Sequence, residues 1–213
     1  KLFPNMMSDT LLGGRIPTVS FDDKMVVDIN GNPHYFFTAV LKPQVYNALT
    51  APYSVSIPVT TSLYDVTYDG TNWKANWVDS VISFRGVTIG TLTQDNSNKV
   101  SVSADGTKLI FSWGDTELVN QVVRGDNDFP NLVIKGFDVN SNTFTEKINV
   151  TLDTDFDGIA NLPQVADRLL GNGPNYSLPV VIVSSADDNE NNPVTYTYLK
   201  GVDVLFVSGI NNK

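Results

Sequence analysis

Alternating apolar and polar residues predict antiparallel β-strands on both sides of an Asp69-Gly70 turn. The apolar side chains recur at every second position of both flanking segments: Tyr64, Val66, Tyr68, Trp73, Ala75 and Trp77. Since side chains alternate between the two faces of a strand, one face is aromatic and the other polar. A two-residue type I′ turn would pair Val66 with Trp73 and Tyr64 with Ala75.

A second hairpin is predicted around Asp105-Gly106. Here Val100 should pair with Phe111, and Val102 with Leu109, while serine and lysine side chains point to the opposite face. A slip of one residue would move every side chain to the other face, so the pattern specifies the register.

Similar strand and turn signals recur along the chain. The further predicted strands are 24–28, 34–40, 132–139, 143–152, 179–183, 194–198 and 202–207. Short strands with turn residues between them favour an all-β fold, an antiparallel β-sandwich of jelly-roll or Ig-like type. One short helix is expected at Leu162–Leu170, closed by Gly171. Gln44–Ala48 and Glu117–Val122 are weaker helix candidates.

The domain organisation follows from the same pattern. Residues 13–213 contain no linker rich in Pro, Gly or Ser and are interpreted as a single β-sandwich domain. Lys1–Leu12 is an apolar arm that must be buried somewhere, because exposed apolar segments of this size mark interfaces. The arm either folds onto its own domain or is donated as a strand to the sheet edge of a neighbour.

Charge and composition exclude several classes of protein. The formal net charge of −9 and the lack of a basic cluster argue against a nucleic-acid partner. No run of about eighteen apolar residues is present, so no transmembrane segment is expected. The absence of cysteine rules out disulfides, a thiolate zinc site and a cysteine nucleophile. Amide and hydroxyl side chains in place of Lys and Glu are typical of secreted proteins at an extracellular surface.

Residues 153–161 carry the sharpest chemical signal. Asp153, Asp155 and Asp157 occupy positions one, three and five of a loop in which Gly158 permits a sharp backbone turn. Calcium prefers six to eight oxygen ligands, several of them anionic. Ile159 would offer its carbonyl oxygen while its side chain packs inward, and Asn161 stands at position nine. The pattern predicts a structural Ca²⁺ site.

Over residues 153–164 the loop resembles EF-hand-like calcium loops of the dockerin and thrombospondin type 3 kind. The resemblance implies a ligand at position twelve, where such loops usually carry Glu or Asp. This sequence has Gln164, which offers one neutral oxygen, unless Asp167 on the following helix supplies a carboxylate. We therefore expect weak to moderate affinity for calcium. The alternative is a solvated Asp-rich turn.

Three further features have both a functional and a structural interpretation. Asn149 and Asn175 each begin a glycosylation acceptor pattern, which arises easily by chance in so Asn-rich a chain. Trp73 and Trp77 share a strand face and would suit sugar stacking, but their apolar neighbours favour core packing.

Catalysis has little support. His34 is the only histidine, and no nucleophile, base and orienting acid surround it in sequence. A role in a loop or at a strand edge is favoured, and the chain is not expected to be an enzyme.

These observations favour a non-catalytic structural protein of an extracellular surface, such as a filament or surface-layer subunit. It would be a homo-oligomer or polymer that assembles through β-edge contacts or strand donation, with Ca²⁺ stabilising one loop. A carbohydrate-binding or adhesive module with a glycan partner is the first alternative, and a viral jelly-roll capsid or spike protein is the second.

Overall fold

The structure is a computed structural model. It describes residues 15–43, 61–82, 85–86, 88–89, 92–93, 96–116, 126–127, 130–185 and 191–206. These residues form only β-strands and turns, and almost all the strand pairs are antiparallel. The all-β, antiparallel class predicted from the sequence is confirmed. No helix occurs in these ranges, and so none there is long and apolar enough to cross a membrane.

The strands are numbered in chain order. They are β1 (Arg15–Val27), β2 (Pro33–Pro43), β3 (Thr61–Tyr68), β4 (Trp73–Val81), β5 (Arg85–Gly86), β6 (Thr88–Ile89), β7 (Leu92–Thr93), β8 (Lys99–Val102), β9 (Lys108–Thr116), β10 (Asp126–Asn127), β11 (Pro130–Asp138), β12 (Thr143–Asn149), β13 (Asn161–Val165), β14 (Leu170–Asn172), β15 (Asn175–Ser177), β16 (Val180–Ser185), β17 (Val194–Leu199) and β18 (Asp203–Leu205).

Four sheets of three or four strands make up most of the described fold. We call them the outer sheet (β1-β2-β3-β4), the central sheet (β12-β11-β9-β8), the β16 sheet (β13-β16-β17) and the β15 sheet (β14-β15-β18). Two short pairs, β5–β10 and β6–β7, are also present, and β5–β10 is parallel.

Strands β9 and β11 of the central sheet are buried on both faces. Leu109 and Phe111 of β9 pack with Phe36 and Leu63 of the outer sheet. The side chain between them, Ile110, points the other way and belongs to a second apolar cluster. Since successive side chains of a strand alternate between faces, β9 contributes to two cores. Its sequence is therefore almost continuously buried.

The second cluster joins the central sheet to the β16 and β15 sheets. It consists of Ile110, Leu132, Ile134, Ala160, Leu169, Tyr176, Leu178, Val180, Ile182, Val202, Val204 and Phe206. The strand predicted at 179–183 is β16, which pairs with β13 on one side and β17 on the other. A strand with neighbours on both sides and a buried face requires the apolar run seen in its sequence.

The two predicted hairpins have different outcomes. In the second, Val100 pairs with Phe111 and Val102 with Leu109, as predicted. In the first, the predicted register is wrong by two residues, because Val66 pairs with Ala75 and Tyr64 with Trp77. A shift of two residues leaves each side chain on the same face.

The longer turn of the first hairpin explains this difference. Asp69 Oδ1 accepts hydrogen bonds from the backbone N–H groups of Thr71 (3.0 Å) and Asn72 (2.9 Å). The backbone N–H of Asp69 in turn donates to Asn72 O at 3.2 Å. The aspartate side chain thereby stabilises a four-residue turn in place of the two-residue one.

The helix predicted at Leu162–Leu170 is wrong. Asn161–Val165 is strand β13, and the backbone N–H of Ala166 continues the pairing by donating to Pro179 O. Asn161, Gln164 and Val165 pair instead with the apolar strand β16. Gly171 does have a positive φ of 95°, but it lies in the β14–β15 hairpin. The two weaker helix candidates and the arm Lys1–Leu12 lie outside the described residues.

Candidate functional site

The loop predicted to bind calcium is a series of turns between β12 and β13. Gly158 has a φ of 72°, in the left-handed region that glycine adopts without strain, so the sharp bend expected there is present. Asp153 is also left-handed, at 59°, a conformation that Asp tolerates better than most residues.

Asp157 is anchored to the central sheet. Its Oδ1 accepts a hydrogen bond from Asn131 Nδ2 at 2.9 Å, and its Oδ2 accepts one from the backbone N–H of Asp153 at 3.3 Å. Asn131 Oδ1 also accepts from the N–H of Gly158 (3.2 Å) and from Thr151 Oγ1 (2.6 Å). The fully buried Asn131 on β11 therefore holds both ends of the loop. Because Asn131 is distant in sequence, local patterns gave no sign of this role.

The other predicted ligands differ in their environments. Asp153 and Asp155 are exposed, and among the described residues their carboxylates accept no hydrogen bond. The side-chain oxygen of Asn161 is buried and has no hydrogen-bond partner. Gln164 is exposed on β13, with its amide nitrogen donating to Leu162 O at 3.2 Å. The chemistry of these oxygen donors suits calcium.

Two details of the predicted loop are wrong. The Ile159 side chain, expected to pack inward, is 47% exposed. Asp167, expected on a helix, lies exposed between β13 and β14, where its carbonyl oxygen accepts the N–H of Val102. Within the described ranges, no group of three or more Asp, Glu or His side chains is gathered closely enough to hold a metal ion. The calcium site remains a prediction.

Both glycosylation acceptor residues lie in described strands. Asn175 is exposed on β15. Asn149 ends β12 half-buried, and its Oδ1 accepts the backbone N–H groups of Thr151 (3.3 Å) and Leu152 (3.1 Å). Asn175 is therefore the more accessible acceptor.

Trp73 and Trp77, expected in the core, are 46% and 51% exposed. They lie on the face of the outer sheet that points away from the central sheet, with Ala75 buried between them. The Trp73 ring contacts Tyr68 with centroids 5.2 Å apart, and Lys135 Nζ lies 5.3 Å from the Trp77 ring. Alternation correctly predicted which residues share a face, and on that face Tyr64, Val66 and Ala75 are buried in a third apolar cluster with Phe37 and Ala39. Only the burial of the two indoles was predicted wrongly.

A cavity of about 550 Å³ lies beside the acidic loop. Its walls include the ends of β12 and β17, each of which is an edge strand among the described residues. Ile134, Val150, Phe156, Leu199 and Val202, all members of the second apolar cluster or packed against it, line the cavity. Apolar core side chains are therefore accessible from the cavity, beside the edge strands of the central sheet and the β16 sheet.

The two edge strands also carry exposed apolar and aromatic side chains, of which Ile148 and Tyr198 line the cavity. Ile148 of β12 is 38% exposed, and Tyr196 and Tyr198 of β17 are 69% and 51% exposed. Large exposed side chains beside unpaired strand edges are a recognised route to association with another chain.

His34, expected in a loop or at a strand edge, lies inside the outer sheet. It belongs to β2, which pairs with β1 and β3, and it is 3% exposed. Its two ring nitrogens face two buried carboxylates, those of Asp28 and Asp65. Sequence reasoning missed this cluster because Asp65 comes from a strand 31 residues away.

No family model matches the chain, and the search of curated proteins also finds no match.

Proposed function

We propose that this chain is a non-catalytic structural protein of an extracellular surface, a β-sandwich subunit that assembles through strand edges or strand donation. The observation that carries the proposal is the cavity between the ends of β12 and β17, which exposes core side chains between two edge strands. A strand from another subunit could add to either edge through main-chain hydrogen bonds and place apolar side chains in the cavity.

The layered packing of the sheets supports a sandwich architecture. Two apolar clusters separate the outer sheet, the central sheet and the β16 and β15 sheets. Packed antiparallel sheets of this kind leave edges that need protection, and assembly is one way to protect them. The acidic loop borders the cavity through Asp155 and Phe156, so a calcium ion there would stiffen one wall of the assembly site.

The donated strand proposed for this site is the apolar arm Lys1–Leu12 of a neighbouring subunit. At about 3.3 Å per residue, twelve extended residues span about 40 Å, enough to reach another subunit. The arm carries Leu2, Phe3, Met6, Met7, Leu11 and Leu12, which supply the apolar side chains that such a cavity would accept.

Sedimentation velocity and negative-stain electron microscopy of the full chain, with calcium and with chelator, test the proposal. We expect oligomers or filaments that are lost in Tyr196→Lys, which puts a charge beside the β17 edge. Ile29→Lys is the matched control, since Ile29 is 55% exposed in a turn rather than a strand.

Deletion of Lys1–Leu12 separates the two modes of assembly. Loss of assembly in the deletion variant supports strand donation. Assembly that survives the deletion but not Tyr196→Lys supports direct pairing of strand edges. A full-length chain that stays monomeric at high concentration, with and without calcium, would overturn the proposal.

A carbohydrate-binding function is the second candidate, favoured by the exposure of Trp73 and Trp77. The two indoles lie four residues apart on one strand face, about 13 Å along β4, and aromatic faces stack well on sugar rings. A glycan array would then show binding that Trp73→Ala abolishes and Tyr196→Ala, an exposed aromatic on another sheet, leaves intact. Binding to no glycan would exclude this candidate.

A further inference from the structure

Three buried ionisable residues lie where the outer sheet meets the β1–β2 turn. Asp28 is 7% exposed, His34 3% and Asp65 0%. His34 Nδ1 lies 2.9 Å from Asp65 Oδ2, and His34 Nε2 lies 3.5 Å from Asp28 Oδ2. The imidazole thus stands between two carboxylates, and it is the only histidine in the chain.

Asp28 is also the residue that shapes the turn. Its Oδ1 accepts the backbone N–H groups of Asn30 and Asn32, both at 2.8 Å, and its Oδ2 accepts Asn32 Nδ2 at 3.2 Å. Next to it, the N–H of Ile29 donates to Gly106 O at 2.9 Å, which attaches this turn to the β8–β9 turn. The position of Asp28 therefore affects the contact between the β1–β2 turn and the β8–β9 turn.

The imidazole can satisfy both carboxylates only when it is protonated. Neutral histidine has one N–H and one lone pair, whereas the imidazolium donates from both nitrogens. In the neutral form one ring nitrogen would present a lone pair to a carboxylate oxygen, and two buried negative charges would have no cation between them. Burying a charge without a partner is unfavourable, because the charge loses its hydration and gains no compensating interaction.

Among the described residues, the other neighbours of these carboxylates do not supply that cation. From β4, Asn76 Nδ2 approaches Asp65 Oδ2 at 3.5 Å, and from β11 the Phe137 ring lies 5.7 Å from the His34 ring. Asp65 Oδ1 is buried and has no hydrogen-bond partner. His34 is therefore the group on which the charge balance of this cluster depends.

We propose that Asp28, His34 and Asp65 form a proton-controlled latch that holds the β1–β2 turn against the β8–β9 turn and loosens when His34 loses its proton. The weaker of its two contacts, His34 to Asp28, is the one at the turn. Deprotonation should therefore release the turn first and leave the pairing of β2 with β3 in place.

The direction of the pH dependence follows from the charges. Burial by itself lowers the pKa of His34, but the hydrogen bond and charge of Asp65, together with Asp28, outweigh it and raise the pKa above its ordinary value of 6.5. A group whose pKa is raised on folding stabilises the fold fully below its unfolded pKa. That stabilisation is lost as the pH rises through the folded pKa.

The test is an NMR titration of the single histidine in the full chain, combined with urea unfolding between pH 5 and pH 9. We expect His34 to titrate above 6.5. Between 6.5 and the folded pKa, the folding constant should fall by up to about tenfold per pH unit. Asp28→Asn should lower the pKa of His34 and flatten this fall, and His34→Gln should abolish it.

The β3–β4 turn provides a matched control. Asp69 accepts the N–H groups of Thr71 and Asn72 as Asp28 does those of Asn30 and Asn32, but its partner is Lys74 at 2.6 Å. Hydrogen-exchange protection of the Asn30 and Asn32 amides should fall above the pKa of His34, while that of Thr71 and Asn72 should not.

Two results would overturn the latch: titration of His34 at or below 6.5, or equal pH slopes in the native chain and His34→Gln. If His34→Gln does not fold, the native titration and Asp28→Asn decide the question. Asp69→Asn should leave the titration of His34 unchanged.

Discussion

Two glycines in turns allow the cost of a close backbone contact to be measured at the scale of one residue. Gly106 and Gly70 both have positive φ, 71° and 87°. A Cβ on Gly106 would lie 2.8 Å from the backbone nitrogen of Ile29, whereas a Cβ on Gly70 would meet nothing within 4 Å. The two positions therefore share backbone strain but differ in space.

We predict that Gly106→Ala destabilises the fold more than Gly70→Ala does. The left-handed backbone costs an alanine roughly 1–2 kcal/mol at either site. The clash in Gly106→Ala must in addition displace the Ile29 backbone, so the total should exceed about 2 kcal/mol. Urea unfolding of both variants measures the difference, and equal losses would contradict the contact between the two turns.

Calcium binding is also tested at the scale of one residue. If the acidic loop binds calcium with a dissociation constant near 10⁻⁴ M, millimolar calcium should add about 1.4 kcal/mol of stability. Asp155→Ala should remove this gain, because the exposed Asp155 carboxylate would lose its place among the ligands. Thermal unfolding with calcium and with chelator measures the effect.

Asp203→Ala is the control for this calcium prediction. Asp203 also borders the cavity but lies outside the acidic loop, so its loss should leave the calcium response unchanged. If the unfolding curves of the native chain coincide with and without calcium, the prediction of a calcium site is wrong.

At the scale of strands, burial on both faces of β9 predicts where mutations matter most. Ile110→Ala truncates a fully buried side chain of the second apolar cluster and should cost about 2–5 kcal/mol. Ile148→Ala, on edge strand β12, truncates a side chain that is 38% exposed and should cost much less. Urea unfolding compares the two, and similar losses would mean that β12 is covered as fully as β9.

The strands also show how far the sequence alone could predict this fold. Alternation and turn residues located most of the described strands, and they specified the register of Val100 and Val102 correctly. They failed where one local signal allowed two structures. Asp69-Gly70 suits a two-residue turn, but the Asp69 side chain stabilises a longer one.

The wrong predictions at the candidate sites have a common physical cause. In each case the structure depends on contacts between residues that are distant in sequence. The spacing of apolar residues over 162–170 fits a helix face by itself, and the pairing of Asn161, Gln164 and Val165 with β16 is not visible in the local sequence. The outer sheet has apolar residues on both faces, so alternation could not decide that Trp73 and Trp77 lie outside. The partners of His34 and of the acidic loop come from other strands.

At the scale of the whole molecule, net charge bears on the proposed assembly. Two chains that each carry a formal charge of −9 repel one another, and salt screens this repulsion over a Debye length of about 8 Å at 0.15 M. We predict stronger association at 0.3 M than at 0.02 M salt, measured by sedimentation velocity. Dissociation on adding salt would indicate that ion pairs, rather than apolar edges, hold the subunits together.

The position of β9 between two cores has a consequence for unfolding. Because the same strand forms a wall of both apolar clusters, neither cluster can be exposed to water without removing support from the other. The described sheets should therefore melt in one calorimetric transition, with equal van't Hoff and calorimetric enthalpies. A load applied to one outer layer would likewise be transmitted through β9 to the opposite layer.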